Sequence, residues 1–138
     1  ALAGLVAITA GCAHVEPIWA VVIGIIAGVL VVYSILFFDK KQIDDPVGAI
    51  SVHGVCGAWG TIAVGMFKTG EMFMFSNILI QIFGSIVAFV WAFSISYLIF
   101  RFLDMTMKLR VSEEEEYAGL DQSEHAVEAY PEFQMWNR

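Results

Sequence analysis

Three long uncharged stretches dominate the pattern of apolar and polar positions along this chain. They cover residues 17–38, 46–67 and 72–100, so two are 22 residues long and the third is 29. At about 1.5 Å per residue, the two shorter stretches would reach roughly 33 Å as helices, just past a bilayer core of about 30 Å. The longest would reach roughly 43 Å, so it must tilt or protrude. The pattern predicts three spans, at about 17–38, 46–67 and 72–109.

A shorter apolar segment precedes these stretches. Residues 1–15 carry no formal charge but are too few to cross a bilayer, and we expect the end of a helix followed by a loop at residues 11–15. The segment has no initiator methionine, basic region or cleavage pattern, so it is not a signal peptide. We therefore expect the chain to be part of a longer protein.

Proline and acidic residues indicate where two of the helices begin. Glu16-Pro17 and Asp45-Pro46 each place a carboxylate before a proline. Proline suits the first helical position because its missing N–H would be unpaired there anyway, and the carboxylate interacts favourably with the helix dipole. Helices are therefore predicted to begin at Pro17 and Pro46.

Basic residues predict the orientation. Two lysines lie between the first two uncharged stretches, and the loop between the second and third contains only Lys68. Three basic residues closely follow the third stretch, namely Arg101, Lys108 and Arg110. The positive-inside rule then places residues 39–45 and the C-terminal tail in the cytoplasm. We expect a multi-pass protein of the cell (inner) membrane with a cytoplasmic C-terminus.

Composition agrees with a membrane protein. Hydrophobic residues make up 59% of the chain, charged residues 15%, and the mean hydropathy is +0.74. A soluble domain needs more charge to cover its surface, and a disordered chain has less apolar surface to bury. The predicted fold class is all-α, a polytopic transmembrane helix bundle with a short acidic tail.

The net charge of −7 is concentrated in that tail, because eight of the 14 acidic residues follow Arg110. An acidic tail argues against nucleic acid as a partner and against docking on anionic lipid. Residues 1–110 are thus predicted to form the transmembrane region and residues 111–138 a cytoplasmic C-terminal region.

The tail also carries helix signals. Ser112 followed by Glu115 has the capping-box pattern, and Gly119 is a suitable stop. A weaker repeat begins at Asp121, so two short helical turns are predicted, ending near Tyr130. The alternative is a solvated run of charge with no specific structure.

His53 is the strongest candidate for chemistry. It lies eight residues after Asp45, which would place it about 12 Å along a helix and near the bilayer midplane. A polar ring is costly on a lipid-facing surface, so His53 should face protein or a pore. A structural histidine bonded to a neighbouring helix is the equally weighted alternative.

Small residues surround this histidine at helical spacing. Asp45, Ala49, His53, Gly57 and Gly60 would share one stripe of an α-helix. Small side chains permit tight helix packing, as also expected for the Gly-x-x-x-Gly motif of the first span, or they leave room for a narrow pathway beside the imidazole. The sequence alone does not choose between these.

Other chemistry finds little support. His53 and Cys56 have ligand spacing, but two ligands are too few for a metal site, and His14 beside Cys12 is weaker still. No nucleophile–base pair, phosphate loop or dinucleotide fingerprint is present. We predict no metal, no cofactor and no enzymatic activity.

Three segments together resemble a known family. GLVAITAGCAHVEP (4–17), DDPVGAISVHGVCGAWGTIAVGMF (44–67) and LRVSEEEEYAGLDQSEHAVEAYPEF (109–133) are similar to the C-terminal part of the ammonium transporter (Amt/Mep/Rh) family. The tail motif favours the Amt branch over the Rh-type gas channels. The resemblance implies an eleven-helix inverted-repeat transporter, of which this chain holds the last helices, and a homotrimer with one pore per subunit.

The resemblance also implies roles for individual residues. His53 corresponds to the second of the paired pore histidines, with Ala49 beside it in the conduction path for ammonium or ammonia, and Asp45 to the acidic residue at the helix start. Many members have an acidic residue at the position of Gly48. Coupling between subunits, or docking of a PII-type regulator, is expected to involve Glu115, Gly119, Leu120, Asp121, Glu124, His125 and Tyr130. The alternative function is an Amt-like ammonium sensor that signals through its C-terminal region.

Overall fold

The computed structural model describes residues 1–129, in which every regular element is a helix. Three segments are long and apolar enough to cross a membrane: Pro17–Lys40, Ile50–Phe67 and Phe75–Met107. The all-α class is therefore confirmed, and the bounds predicted for the three spans stay a prediction. In chain order the elements are α1 (Leu2–Thr9), α2 (Pro17–Lys40), a π-helix (Ile50–Val55), α3 (Cys56–Phe67), α4 (Phe75–Met107), α5 (Glu113–Ala118) and α6 (Leu120–Ser123).

The first helices agree with the sequence prediction. α1 is short and ends before the predicted loop, and α2 begins at Pro17 with Glu16 as its N-cap. α2 runs two residues past the predicted end and finishes at Lys40, whose charge lies in the last turn and complements the dipole there.

The second span begins later than predicted. Pro46 lies in a turn, and Gly48 has a φ of +68°, a left-handed conformation that interrupts a helix and that glycine adopts without strain. Regular structure therefore starts at Ile50, and the span is 18 residues long, or about 27 Å. The prediction of a helix start at Pro46 is wrong, and His53 is the fourth residue of the span rather than lying 12 Å into a helix.

The core lies where α1, α2 and the second span pack together. Most of its residues are small, which lets helix backbones approach closely where lipid supplies no hydrophobic drive between helices. The buried apolar residues that form this cluster are Ala3, Ala7, Ile23, Ala27, Val52, Cys56, Ala63 and Phe67. Within the part of the chain described here, α4 contributes no buried residue.

Glycine makes the closest approach in this core. A Cβ built on Gly60 would overlap the backbone carbonyl of Ala7 on α1. At Gly60, therefore, the small residue serves tight packing rather than a pathway. By contrast, a Cβ on Gly24 or Gly28 of the first span would meet nothing within 4 Å, although a Cβ on Gly4 of α1 would lie 3.7 Å from the Cα of Gly24, so α1 contacts this motif at an ordinary van der Waals distance.

The chain divides into two compact units, and the second begins at Phe93. Within the second unit, α5 has the predicted capping box: Ser112 and Glu115 each bond to the other's backbone N–H. Gly119 ends α5 with a φ of +100°, and the next turn, α6, spans only four residues. Tyr130 lies outside the described residues. The boundary placed between residues 110 and 111 stays a prediction.

Candidate functional site

His53 lies on the π-helix, and its side chain is exposed. The residues just before it, Ser51 and Val52, are buried, as is Cys56 three positions later. The imidazole therefore points away from the packed core formed with α1 and α2. Single turns of π-helix occur often at functional sites, which makes this segment the primary candidate.

The hydrogen bonding of the π-helix explains why His53 faces outward. The backbone N–H of Cys56 donates to the carbonyl of Ser51, five residues earlier, where an α-helix would reach back four. This wider turn stacks Ser51 and Cys56 on one face, and both have 0% exposure. His53 is two residues from one and three from the other, so it lies about half a turn away.

That buried face is bonded to α2 by three side chains. The Ser34 hydroxyl donates to Ser51 Oγ at 3.0 Å, Cys56 Sγ donates to the carbonyl of Ala27 at 3.6 Å, and Trp59 Nε1 donates to the carbonyl of Ile23 at 3.1 Å. These contacts join α2 to the residues on both sides of His53 and hold the segment that carries it.

The π-helix and the serine pair were missed by sequence reasoning. A polar side chain in each of two apolar spans was the available signal, because such residues often bond across helices. The π-helix breaks the predicted five-residue stripe, since Asp45 precedes the helical segment and residues 50–55 do not follow the α-helical period.

Asp45 and Ala49 lie at the start of this segment. One carboxylate oxygen of Asp45, Oδ2, accepts a hydrogen bond from the backbone N–H of Ile50 at 3.1 Å. That contact satisfies a donor at the helix start and places negative charge at the positive end of the dipole. Ala49 is exposed and occupies the N-cap position of the π-helix. Asp45 thus contacts the start of the π-helix at Ile50, four residues after the predicted helix start at Pro46.

An open cavity of about 670 Å³ borders the loop between α2 and the π-helix. Its lining includes Asp39, Asp44 and Asp45 but neither His53 nor Ala49. Across residues 1–129, no group of three or more His, Cys, Asp or Glu side chains is placed to hold a metal ion. Cys56 faces α2 while His53 faces away, so the two do not form a ligand pair.

The tail residues form a separate candidate surface. Bonds from the backbone N–H and hydroxyl of Ser112 hold the pKa of Glu115 below its usual range. The backbone N–H of Ala129 donates to Asp121 at 2.9 Å and lowers the pKa of that carboxyl. The side chains of Leu120, Glu124 and His125 are exposed.

Comparisons with known proteins identify the family. The sequence profile of the Ammonium Transporter Family matches residues 1–130. The chain belongs to the ammonium transporter family. It is 43% identical to ammonium transporter Amt2 of Archaeoglobus fulgidus, over 96% of this chain and 32% of that protein. It is 36% identical to an ammonium transporter of Bacillus subtilis, over 94% of this chain and 35% of that protein.

A solved structure shows the same arrangement of helices. The chain named "Sensor Amt Protein" is 44% identical, with a TM-score of 0.79 over 89% of this chain and 32% of that one. The present chain therefore spans about a third of the length of the relatives it matches. Members of the family are transporters, which agrees with the prediction that the chain is not an enzyme.

Proposed function

We propose that this chain supplies part of a conduction path for ammonium or ammonia, with His53 lining that path and Ala49 beside it. The main support for this proposal is that the imidazole of His53 faces outward from a π-helix whose other face is buried and hydrogen-bonded to α2. Membership of the ammonium transporter family supports the choice of substrate.

The chemistry of imidazole suits this task. A bare ammonium ion in a narrow apolar path faces a large desolvation penalty, whereas neutral ammonia faces little. A neutral imidazole donates a hydrogen bond from one nitrogen and accepts at the other, so it can bond ammonia or relay a proton. Ala49, at the N-cap position of the same π-helix, is exposed and carries only a methyl group.

The test compares two substitutions at His53 in the full-length protein. His53→Ala removes both hydrogen-bonding nitrogens, and we expect a loss of about 1–3 kcal/mol for each bond left unmade. His53→Glu introduces a carboxylate that holds a cation, so we expect potassium to conduct. Ammonium and potassium currents are recorded in proteoliposomes with equal amounts of protein.

A histidine outside the spans provides the control. His14 is exposed in the loop after α1, and His14→Ala should leave the currents near wild type. If rate and ion selectivity are unchanged in both His53 variants, His53 is a packing residue and the proposed function of this site is wrong.

The proposed assembly is a homotrimer in the cell (inner) membrane, with the C-terminal region in the cytoplasm. The distribution of lysine and arginine supports this orientation.

We assign the exposed tail surface to subunit coupling or to docking of a PII-type regulator. Cutting the chain after Arg110 should then weaken trimer stability or regulator binding, and unchanged values for both would contradict the assignment.

A second candidate function is ammonium sensing. It is favoured by the 44% identity to the chain named "Sensor Amt Protein". A sensor would bind ammonium at the same helices and signal through its C-terminal region. The gene sequence downstream of Arg138 discriminates, since a kinase or cyclase region there would favour sensing over transport.

A further inference from the structure

Two buried serines form a hydrogen bond between α2 and the π-helix. Ser34 is 9% exposed and Ser51 is fully buried, and their hydroxyl oxygens are 3.0 Å apart. A hydroxyl removed from water is costly unless it is bonded, and here each serine supplies the other's partner. The pair is a satisfied polar contact inside an otherwise apolar interface.

The direction of these hydroxyls sets them apart from hydroxyls in α3 and α4. The hydroxyls of Thr61 and Ser85 donate to the carbonyl four residues earlier in their own helix, at 3.0 and 2.8 Å. That local bond is the usual choice for serine and threonine in a helix. Ser34 and Ser51 instead bond to each other, so the contact joins two helices.

The position of this contact relates it to His53. Ser51 precedes the histidine by two residues, and the backbone of Cys56, three residues after it, closes the wide turn onto Ser51. Both residues contact α2 through their side chains. The imidazole therefore lies on a turn that is fixed to α2 at each end.

A π-helix needs such a restraint. It contains one more residue per hydrogen-bonded ring than an α-helix and is rare without a specific cause. Return to α-helical bonding would rotate the residues on one side of the turn by about 100° relative to the other. Ser51 and Cys56 could then no longer both face α2, and the direction of His53 would change.

We propose that the Ser34–Ser51 hydrogen bond is a positioning element that keeps residues 50–55 in the π-helical form and so directs His53. The two serines act through the histidine and do not themselves contact the conducted species. This inference rests on the proposed function for its effect on conduction, but not for its effect on the backbone.

The test uses Ser51→Ala, Ser34→Ala and the double variant in the full-length protein. We expect the ratio of ammonium to potassium current to fall about tenfold in each, the effect on a rate of losing about one hydrogen bond. Ser34→Thr keeps a hydroxyl and should retain the wild-type ratio. Ser85→Ala, which removes a hydroxyl bonded within its own helix, is the matched control.

The double variant separates positioning from stability. Each single variant leaves one buried hydroxyl unpaired, whereas the double variant removes both and should recover most of the thermal stability. A positioning role predicts that the current ratio stays altered in the double variant. If the ratio returns to wild type together with stability, the pair is only structural and the proposal is overturned.

Cryo-electron microscopy of the double variant gives a readout that does not depend on conduction. We expect the N–H of Cys56 to bond to the carbonyl of Val52, four residues earlier, in place of Ser51. If the π-helix persists unchanged, the proposal fails whatever the currents show. If the backbone changes but substitutions at His53 leave the currents unchanged, the proposed function fails and the positioning of the turn stands.

Discussion

The packed helices and the C-terminal tail differ in how far apart in the sequence their hydrogen-bonded residues lie. Between α2 and the second span, three side chains bond across 17, 29 and 36 positions of the sequence. In the tail, each described side-chain bond joins residues at most eight positions apart, as for Asp121 and Ala129. The first region therefore depends on helices meeting correctly, and the second on local sequence.

The two environments account for this difference. Lipid provides no hydrophobic drive between helices, so close backbone contact and interhelical bonds must hold the spans together. The short tail helices α5 and α6 contain no buried residue, so caps and turns are what stabilise them. Substitutions in the first region should disturb the packing of the helices, and substitutions in the tail should change the folding of α5 and α6 but not the packing of α1, α2 and α3.

The largest expected effect is at Gly60. Gly60→Ala places a methyl group on the backbone carbonyl of Ala7, and backbone atoms cannot move aside as a flexible side chain can. We expect the free energy of unfolding to fall by about 3 kcal/mol, the upper end for overpacking. Thermal unfolding of the purified protein in detergent measures the change.

Gly28→Ala is the matched control, because a Cβ there meets nothing within 4 Å. Equal unfolding midpoints for the Gly60 and Gly28 variants would show that the close contact between α1 and α3 does not hold the core together. The difference between the two regions would then lose its main support.

Gly60 also shows which features of the fold the sequence alone could predict and which it could not. Hydropathy and the Glu16-Pro17 pair located α2 correctly because they act within one segment, and the capping box at Ser112 was equally local. Whether Gly60 served packing or a pathway could not be decided, since the answer depends on Ala7, a residue 53 positions away that faces it.

The start of the second span was misplaced for a related reason. Pro46 satisfies the local rule for a first helical position, but Gly48 adopts a left-handed conformation that prevents a helix there. The Asp45 carboxylate therefore accepts its hydrogen bond from the backbone N–H of Ile50, two residues after Gly48. The π-helix was not predicted because it places Ser51 and Cys56 on one face, where their side chains bond to Ser34 and to the Ala27 carbonyl of α2. The pattern of residues within the segment itself does not indicate these partners.

A smaller effect is expected at Gly48. Gly48→Ala forces a residue with a Cβ into a φ of +68°, which costs about 1–2 kcal/mol. Gly54→Ala, within the π-helix where a Cβ meets only Ile50 at 3.9 Å, is the comparison. Unfolding midpoints should be lower for the Gly48 variant, and the reverse order would contradict the assigned turn.

Trp59 should have an effect of about 1 kcal/mol. Trp59→Phe keeps an aromatic ring but loses the Nε1–H bond to the carbonyl of Ile23, and a typical bond contributes about 0.5–1.5 kcal/mol. Trp91→Phe on α4, where the side chain is 72% exposed, should change stability less. Equal losses of stability would mean that this interhelical bond does not contribute.

The smallest expected effect is the pH response of the tail. The pKa of Glu115 is lowered by its bonds to Ser112, so the contribution of this carboxylate to α5 is fully present above the unfolded pKa. That contribution is lost as the pH falls through the lowered pKa, in the acid range below the usual glutamate value of about 4.3.

The Ser112 amide chemical shift, followed by NMR of protein labelled with [15N]serine, reports the transition. In Glu115→Gln the side chain still accepts the bond but does not titrate, so the shift should stay constant. A Ser112 signal that titrates in both proteins would assign the change to another carboxylate, and one that titrates at the usual glutamate pKa would exclude the capping box.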